Sequence, residues 1–229
     1  MTKSKDVLNV QEQLRKELDT MKDRVDPPSG YMISTKGKVF TLPNGSASDG
    51  PLICVVLDWV TANTYFEGIY NPKDVKPPAC FAVAREPAKA VPSDGSPKKQ
   101  HDRCVGDQDH KGCPKNEWAS DPQGGKGKAC KNTRRLLVVP HDADENTQPW
   151  VLSVSPTGLK HFDKYVNTLG DVGTHPLEVI TKISFEASEA FPTLRFEIDT
   201  KHDSLNTMWQ LKERGQEILL QEPKIEKAA

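Results

Sequence analysis

Four of the five cysteines in this chain, Cys80, Cys104, Cys113 and Cys130, fall in one long stretch that has no apolar periodicity. Zinc takes four thiolate or imidazole ligands in a tetrahedron, and such a site can replace the core that a loop-rich segment lacks. The spacings are long and contain no CxxC pair, so by spacing alone four unrelated reduced thiols remain open. Their clustering in the one aperiodic region points to a metal, with His101, His110 and His141 as nearby alternative ligands. Cys54, inside Leu-Ile-Cys-Val-Val-Leu, reads as a small buried apolar residue. An odd cysteine count in a reducing compartment argues against disulfides.

A basic strip surrounds the last of these cysteines. Lys126, Lys128, Lys131, Arg134 and Arg135 fall within ten residues with no acid among them, behind Gly124, Gly125 and Gly127. From Cys80 to Arg135 there are twelve Lys and Arg against seven Asp and Glu, although the whole chain carries a net charge of only -1. The balance excludes a uniformly basic nucleic-acid binder but leaves a local cationic surface. Cations beside glycines that expose backbone N–H groups suit phosphate contact. The Gly-x4-Gly-Lys-[Ser/Thr] spacing of a phosphate-binding P-loop is absent, and a solvated loop is the plain alternative. Because the strip is tethered to a candidate ligand and leads into a strand, it is expected to be held in place. Arg134 and Arg135 should then point to opposite faces. Nearby aromatics offer stacking surfaces for bases. Trp118 and Tyr65 are the candidates, whereas Trp59 and Phe66 are expected in the core.

No nucleophile–base pair and no HExxH motif is present. Asp58 with Glu67, and Asp142, Asp144 and Glu145, could hold magnesium, but acids in polar loops are usually only solvated. The expectation is a protein without catalytic activity. The longest apolar run, residues 52–57, is strand-sized and far short of the ~20 residues of a membrane span. The N-terminus lacks the apolar stretch of a secretory signal. A soluble protein of the cytoplasm is expected, with no membrane partner.

The elements that must position these residues follow from periodicity. Val7, Val10, Leu14, Leu18, Met21 and Val25 recur at helical spacing, and Pro27-Pro28 ends the pattern. Residues 31–34 and 38–42 read as short strands around Lys36-Gly37, and Pro43-Asn44-Gly45 as a further turn. Residues 52–60 and 64–70 read as paired strands joined at Ala62-Asn63, without the usual Asn-Gly. Regular structure stops from Asn71 to about Asn132, where prolines abound, and such a long structureless loop is unusual inside a domain. Strands are expected again at 135–139 and 150–154. A helix follows Ser155-Pro156 with Leu159, Phe162, Val166 and Leu169 as its buried stripe. Strands at 177–185 and 193–198 and a last helix over 205–221, interrupted at Gly215, complete a mixed β with α pattern. The order fits a small mixed or barrel-like β core carrying an inserted module.

Three motifs bear a family resemblance: Pro78-x-Cys80-Phe81-Ala82, Cys113-Pro114-x-Asn116-x-Trp118-Ala119-Ser120, and Gly125-Lys126-Gly127-Lys128-Ala129-Cys130-Lys131-Asn132-x-Arg134-Arg135. The flanks Phe40-x-Leu42-Pro43-Asn44-Gly45 and Pro156-Thr157-x-Leu159-Lys160-x-Phe162-x-x-Tyr165-Val166 add to it. Over most of residues 30–200 the chain resembles bacteriophage and prophage single-stranded DNA-binding proteins. The resemblance implies an OB-like β-barrel core at 27–204 with a zinc module inserted at about 71–132. An N-terminal helix over 1–26 and a C-terminal helix and tail over 205–229 would flank it. It also implies Cys80, Cys104, Cys113 and Cys130 as zinc ligands. One departure stands out: the family pattern has CxxCP before Cys113, whereas here Cys104 lies nine positions back and position 110 is a histidine. The second ligand is therefore Cys104 on a longer loop or His110 in its place. The tail is of mixed charge, without the long acidic end that such proteins use to recruit replication enzymes.

The leading functional expectation is a non-catalytic single-stranded DNA-binding protein of phage replication or recombination in the bacterial host cytoplasm. Replication or recombination proteins are its expected further partners. The alternative is a zinc-stabilised structural or protein-interaction module that does not bind nucleic acid.

Overall fold

The computed structural model describes residues 30–68 and 76–222, together with Val10 and Gln13. The expected helix over 7–25 otherwise lies outside the described residues, as do 69–75 and the tail from 223. The strands are β1 (Met32–Ile33), β2 (Phe40–Thr41), β3 (Ala47–Ser48), β4 (Leu52–Tyr65), β5 (Cys80–Ala84), β6 (Cys130–Pro140), β7 (Trp150–Val154), β8 (Val179–Phe185) and β9 (Leu194–Lys201). Two helices are described, α1 (Leu159–Asp171) and α2 (Leu205–Leu220). The protein is thus sheet-rich and mixed, and no described helix is long and apolar enough to cross a membrane.

The sheet is organised around β4. The expected hairpin at Ala62-Asn63 does not form, and residues 52–65 run as one strand. Neither turn residue carries the positive φ that a two-residue hairpin needs, and both are buried in the ladder. Along one edge β4 pairs antiparallel with β6 from Cys54↔Pro140 to Tyr65↔Cys130, with an irregularity between Val56 and Asp58. Its other edge is shared. Leu52–Cys54 pair with β8, and Thr61–Tyr65 pair with β5. The sheet order is β1-β7-β6-β4-β8-β9, with β5 alongside β4 and a separate β2–β3 hairpin around Pro43-Asn44-Gly45.

Among the described residues no pairing joins β1 to β9, so the sheet stays open and the expected OB-like barrel does not close. The apolar pattern explains why. Cys54, Val56, Leu136, Val138, Leu152 and Val154 pack with Phe162, Tyr165 and Leu169 of α1. The intervening Val55, Leu57, Leu137, Val139 and Val151 pack with Met208, Leu211 and Leu219 of α2. Central strands that are apolar on both faces need a cover on each. Here one helix covers each face, giving three layers.

The aperiodic segment is not wholly irregular. It contributes β5 and the first residues of β6, so the sheet itself holds its two ends. Between them run two 3-10 turns, Pro87–Lys89 and Pro114–Asn116, and loops tied by backbone bonds such as Ser93 N–H to Phe81 O (2.9 Å) and Lys98 N–H to Ala79 O (2.8 Å). Ser96 adds a two-way side-chain clamp on Phe81, its Oγ accepting from Phe81 N at 3.0 Å and donating to Phe81 O at 3.1 Å.

Candidate functional site

The end of β4 assembles two of the cysteines. Tyr65, its last residue, pairs with Cys80 on one side and Cys130 on the other. Cross-strand partners point to the same face of a sheet, so both thiols flank the Tyr65 ring and bury it. Two residues back, on the same face, Asn63 pairs with Ala82 and Asn132.

The other two cysteines arrive on loops. Cys104 is anchored by its N–H to Ala90 O (3.0 Å), and Cys113 opens the Pro114–Asn116 turn. Between them the chain doubles back, with Asp107 N–H on His110 O at 2.9 Å. Gly106 and Gly112 touch at the neck of this loop: a Cβ on Gly112 would lie 2.5 Å from Gly106 N, and one on Gly106 would lie 2.7 Å from Gly112 N. No side chain fits either position. Asn116 then locks the neck to the turn by donating its amide to Cys104 O at 2.8 Å.

All four cysteines are buried, free and part of the wall of one small cavity, with Asn63, Tyr65, Lys115 and Asn116 beside them. Cys54 lies apart in the core under α1, where burial raises its thiol pKa. His110 does not line the cavity. Its exposed ring holds Asp107, Nδ1 to Oδ1 at 2.9 Å. Among the described residues, the only trio of possible ligand atoms within 4.8 Å of one another is Asp107, Asp109 and His110 on the exposed loop. No three of the four thiols lie within 4.8 Å of one another.

Two of the four thiols are held back from ionising. Burial, and then the neighbouring Cys104, Cys113 and Cys80, push the Cys130 thiol up to about 12, with Lys128 pulling the other way. Burial also raises Cys104, with Asn63 opposing it. Thiols this reluctant to ionise are poor nucleophiles. A dication reverses that balance, since a coordinating thiol is deprotonated outright.

The basic strip and the aromatics are distributed unevenly. The loop from Trp118 to Lys128 is stapled by Asp121 N–H to Gly127 O (3.2 Å) and Ala129 N–H to Ser120 Oγ (3.0 Å). Trp118 stands on it 76% exposed, with the Lys128 ammonium 5.1 Å from its ring centroid and Lys126 in solvent nearby. Lys131 is engaged with Asp121 Oδ2 (2.8 Å) and Lys128 O (3.0 Å). Arg135 turns toward the end of α2 and donates to Gln221 O. Arg134 lies on the opposite face, that of the cysteines, and is half-buried. Tyr65 does not offer a face to a base: it is 8% exposed and Lys115 sits 5.5 Å from its ring centroid. Phe66 reverses its expectation too, being 46% exposed at the strand end, while Trp59 packs edge-on against Phe162.

Asn63 and Lys115 were not legible as site residues. The sequence suggests a turn at Asn63, although the alternation Thr61, Asn63, Tyr65 places it on the face of the cysteines. The carboxylates Asp58 and Glu67 each hold a cation, Arg85 at 2.8 Å and Lys98 at 2.5 Å, and Asp144 bonds within its own loop. Compared with protein-family models, curated proteins and solved structures, the chain matches none.

Proposed function

We propose that this protein is a non-catalytic single-stranded DNA-binding protein of phage replication or recombination, built on a zinc module. Cys80, Cys104, Cys113 and Cys130 would hold the metal as a closed structural site, and the metal would fix the loop between Cys113 and Cys130. The observation that carries the reading is Trp118 on that loop, a large aromatic left in solvent beside two lysines. Every base has a face that can stack, and lysines beside the stack can meet the phosphates. The donor set suits zinc in kind, four buried reduced thiols facing one cavity, and binding would draw their sulfurs closer together than they stand.

With Lys131 and Arg135 engaged elsewhere, Lys126, Lys128 and Arg134 are the cations left for the strand. Three phosphate contacts at about 0.7 each predict a log-log salt slope near -2 for single strands. Titration of the zinc-loaded protein with labelled single-stranded and duplex DNA tests this. Preference for single strands with that slope supports the reading, and absence of single-strand binding at low salt overturns it. In that event the zinc-stabilised protein-interaction module takes its place, with exposed Trp118 as the anchor.

A further inference from the structure

Among the described residues, both amide atoms of Asn63 and Asn116 Oδ1 in the cavity wall, with Thr61 Oγ1, His101 Nδ1 and Asn132 Oδ1 outside it, are out of solvent and lack hydrogen-bond partners. Thr61, Asn63 and Asn132 lie on one face of β4 and β6, the face that carries Cys80 and Cys130. Asn63 stands out among them. It is 1% exposed, near the end of β4, in a ladder where asparagine is disfavoured and β-branched residues are favoured. Buried polar groups are almost always satisfied, so an amide with neither atom paired asks for a missing partner.

The candidate partner is adjacent. Asn63 and Cys104 both line the cavity, and neither polar atom of the Asn63 amide is yet paired there. A protonated thiol is a poor acceptor. A metal-bound thiolate is a far better one, because hydrogen bonds to an ionised group are shorter and stronger.

We propose that Asn63 is a positioning residue of the four-cysteine site: when Cys104 binds a soft divalent cation as a thiolate, the buried Asn63 amide donates an N–H to its sulfur. The inference rests on the metal reading above and deepens it. The amide orients one ligand of the four and withdraws electron density from that sulfur. Outer-shell partners of this kind orient ligands and tune metal affinity.

The experiment loads the full chain with cobalt(II) in place of zinc and compares wild type with Asn63→Leu and Asn63→Val. Leucine keeps the volume and removes both polar atoms. Valine, a strand former, removes them with a smaller side chain. Expected for both variants is metal bound at the wild-type stoichiometry, about 10–100-fold more weakly by chelator competition. The sulfur-to-cobalt charge-transfer band should also move to lower energy. Loss of packing alone does not move that band, so it separates positioning from general destabilisation. If leucine prevents folding, the valine variant supplies the comparison. Wild-type affinity and an unshifted band in a folded variant overturn this inference and leave the metal site standing. Failure of the wild-type protein to bind cobalt or zinc overturns the metal site and this inference with it.

Discussion

Lys128 Nζ lies 5.1 Å from the ring centroid of Trp118, so the most exposed aromatic of the cysteine segment already carries a cation on its surface. In single-stranded binding the two side chains should contribute separable effects. Trp118→Ala should weaken binding by ~1–3 kcal/mol and leave the salt slope nearly unchanged. Lys126→Ala with Lys128→Ala should weaken all sequences alike and make the slope shallower by about one unit or slightly more. Tyr65→Phe, at a buried ring, should do neither. Fluorescence anisotropy over a salt series checks all three.

The thiols should divide four to one. Purified under reducing conditions, the protein should hold about one zinc per chain. Cys80→Ser, Cys104→Ser, Cys113→Ser and Cys130→Ser should each lose it, whereas His110→Ala should keep it. Cys54→Ser should also keep it while lowering stability by about 1–3 kcal/mol, because a hydroxyl is then buried in an apolar core. Elemental analysis with denaturant unfolding measures both.

Two glycines should resist alanine for the same steric reason with different consequences. A Cβ on Gly112 would meet Gly106 N at 2.5 Å, backbone that cannot swing aside. Gly112→Ala should therefore open the loop between Cys104 and Cys113 and speed zinc release to a chelator. A Cβ on Gly215 would meet Leu137 Cδ2 at 2.5 Å, and Leu137 is fully buried. Alanine would gain about 1 kcal/mol of helix propensity there. Overpacking costs about 1–3 kcal/mol, so Gly215→Ala should lower the unfolding midpoint and leave zinc bound.

Tyr165 predicts an alkaline limit on stability. Its hydroxyl is 2.6 Å from Thr181 Oγ1, and burial pushes its pKa up to about 12. In the unfolded chain the phenol ionises near 10. The folded state therefore holds its proton longer, and its contribution is complete below about pH 10 and lost as pH rises toward 12. Wild type should lose about 1 kcal/mol between pH 9 and 11 that Tyr165→Phe does not lose. Urea unfolding of both proteins at the two pH values is the measurement.

Much of the fold was legible because periodicity reports burial directly. The strand at 150–154 sits where the apolar spacing placed it, and so do Phe162 and Leu169 of α1, whereas Leu159 and Val166 are only partly buried and Tyr165 is buried beside them. The break at Ala62-Asn63 was misread because a short polar residue in an apolar run looks the same whether it turns or faces a polar cavity. The interruption at Gly215 was misread for a related reason. A glycine that ends a helix and one that lets a helix approach a sheet are the same letter, and only Leu137 on the facing strand distinguishes them. The open sheet was hidden by the run 52–57. Continuous apolar sequence says that both faces of a strand are covered, not whether helices or a closed barrel cover them.

By itself the sequence determined the residue types available for chemistry: clustered cysteines, a basic strip, and aromatics among them. Those follow from composition and local spacing. Which of them meet was decided only by the tertiary structure. Cys80 and Cys130 are fifty residues apart in sequence and are neighbours of the same Tyr65, because β4 pairs on both edges. The same pairing buries Tyr65 and decides that Arg135, not Arg134, faces the end of α2, while the loop between Cys113 and Cys130 leaves Trp118 outside. Contacts between distant segments depend on strand register and on loop closure. Neither leaves a periodic trace in the chain, so the cavity is a property of the fold.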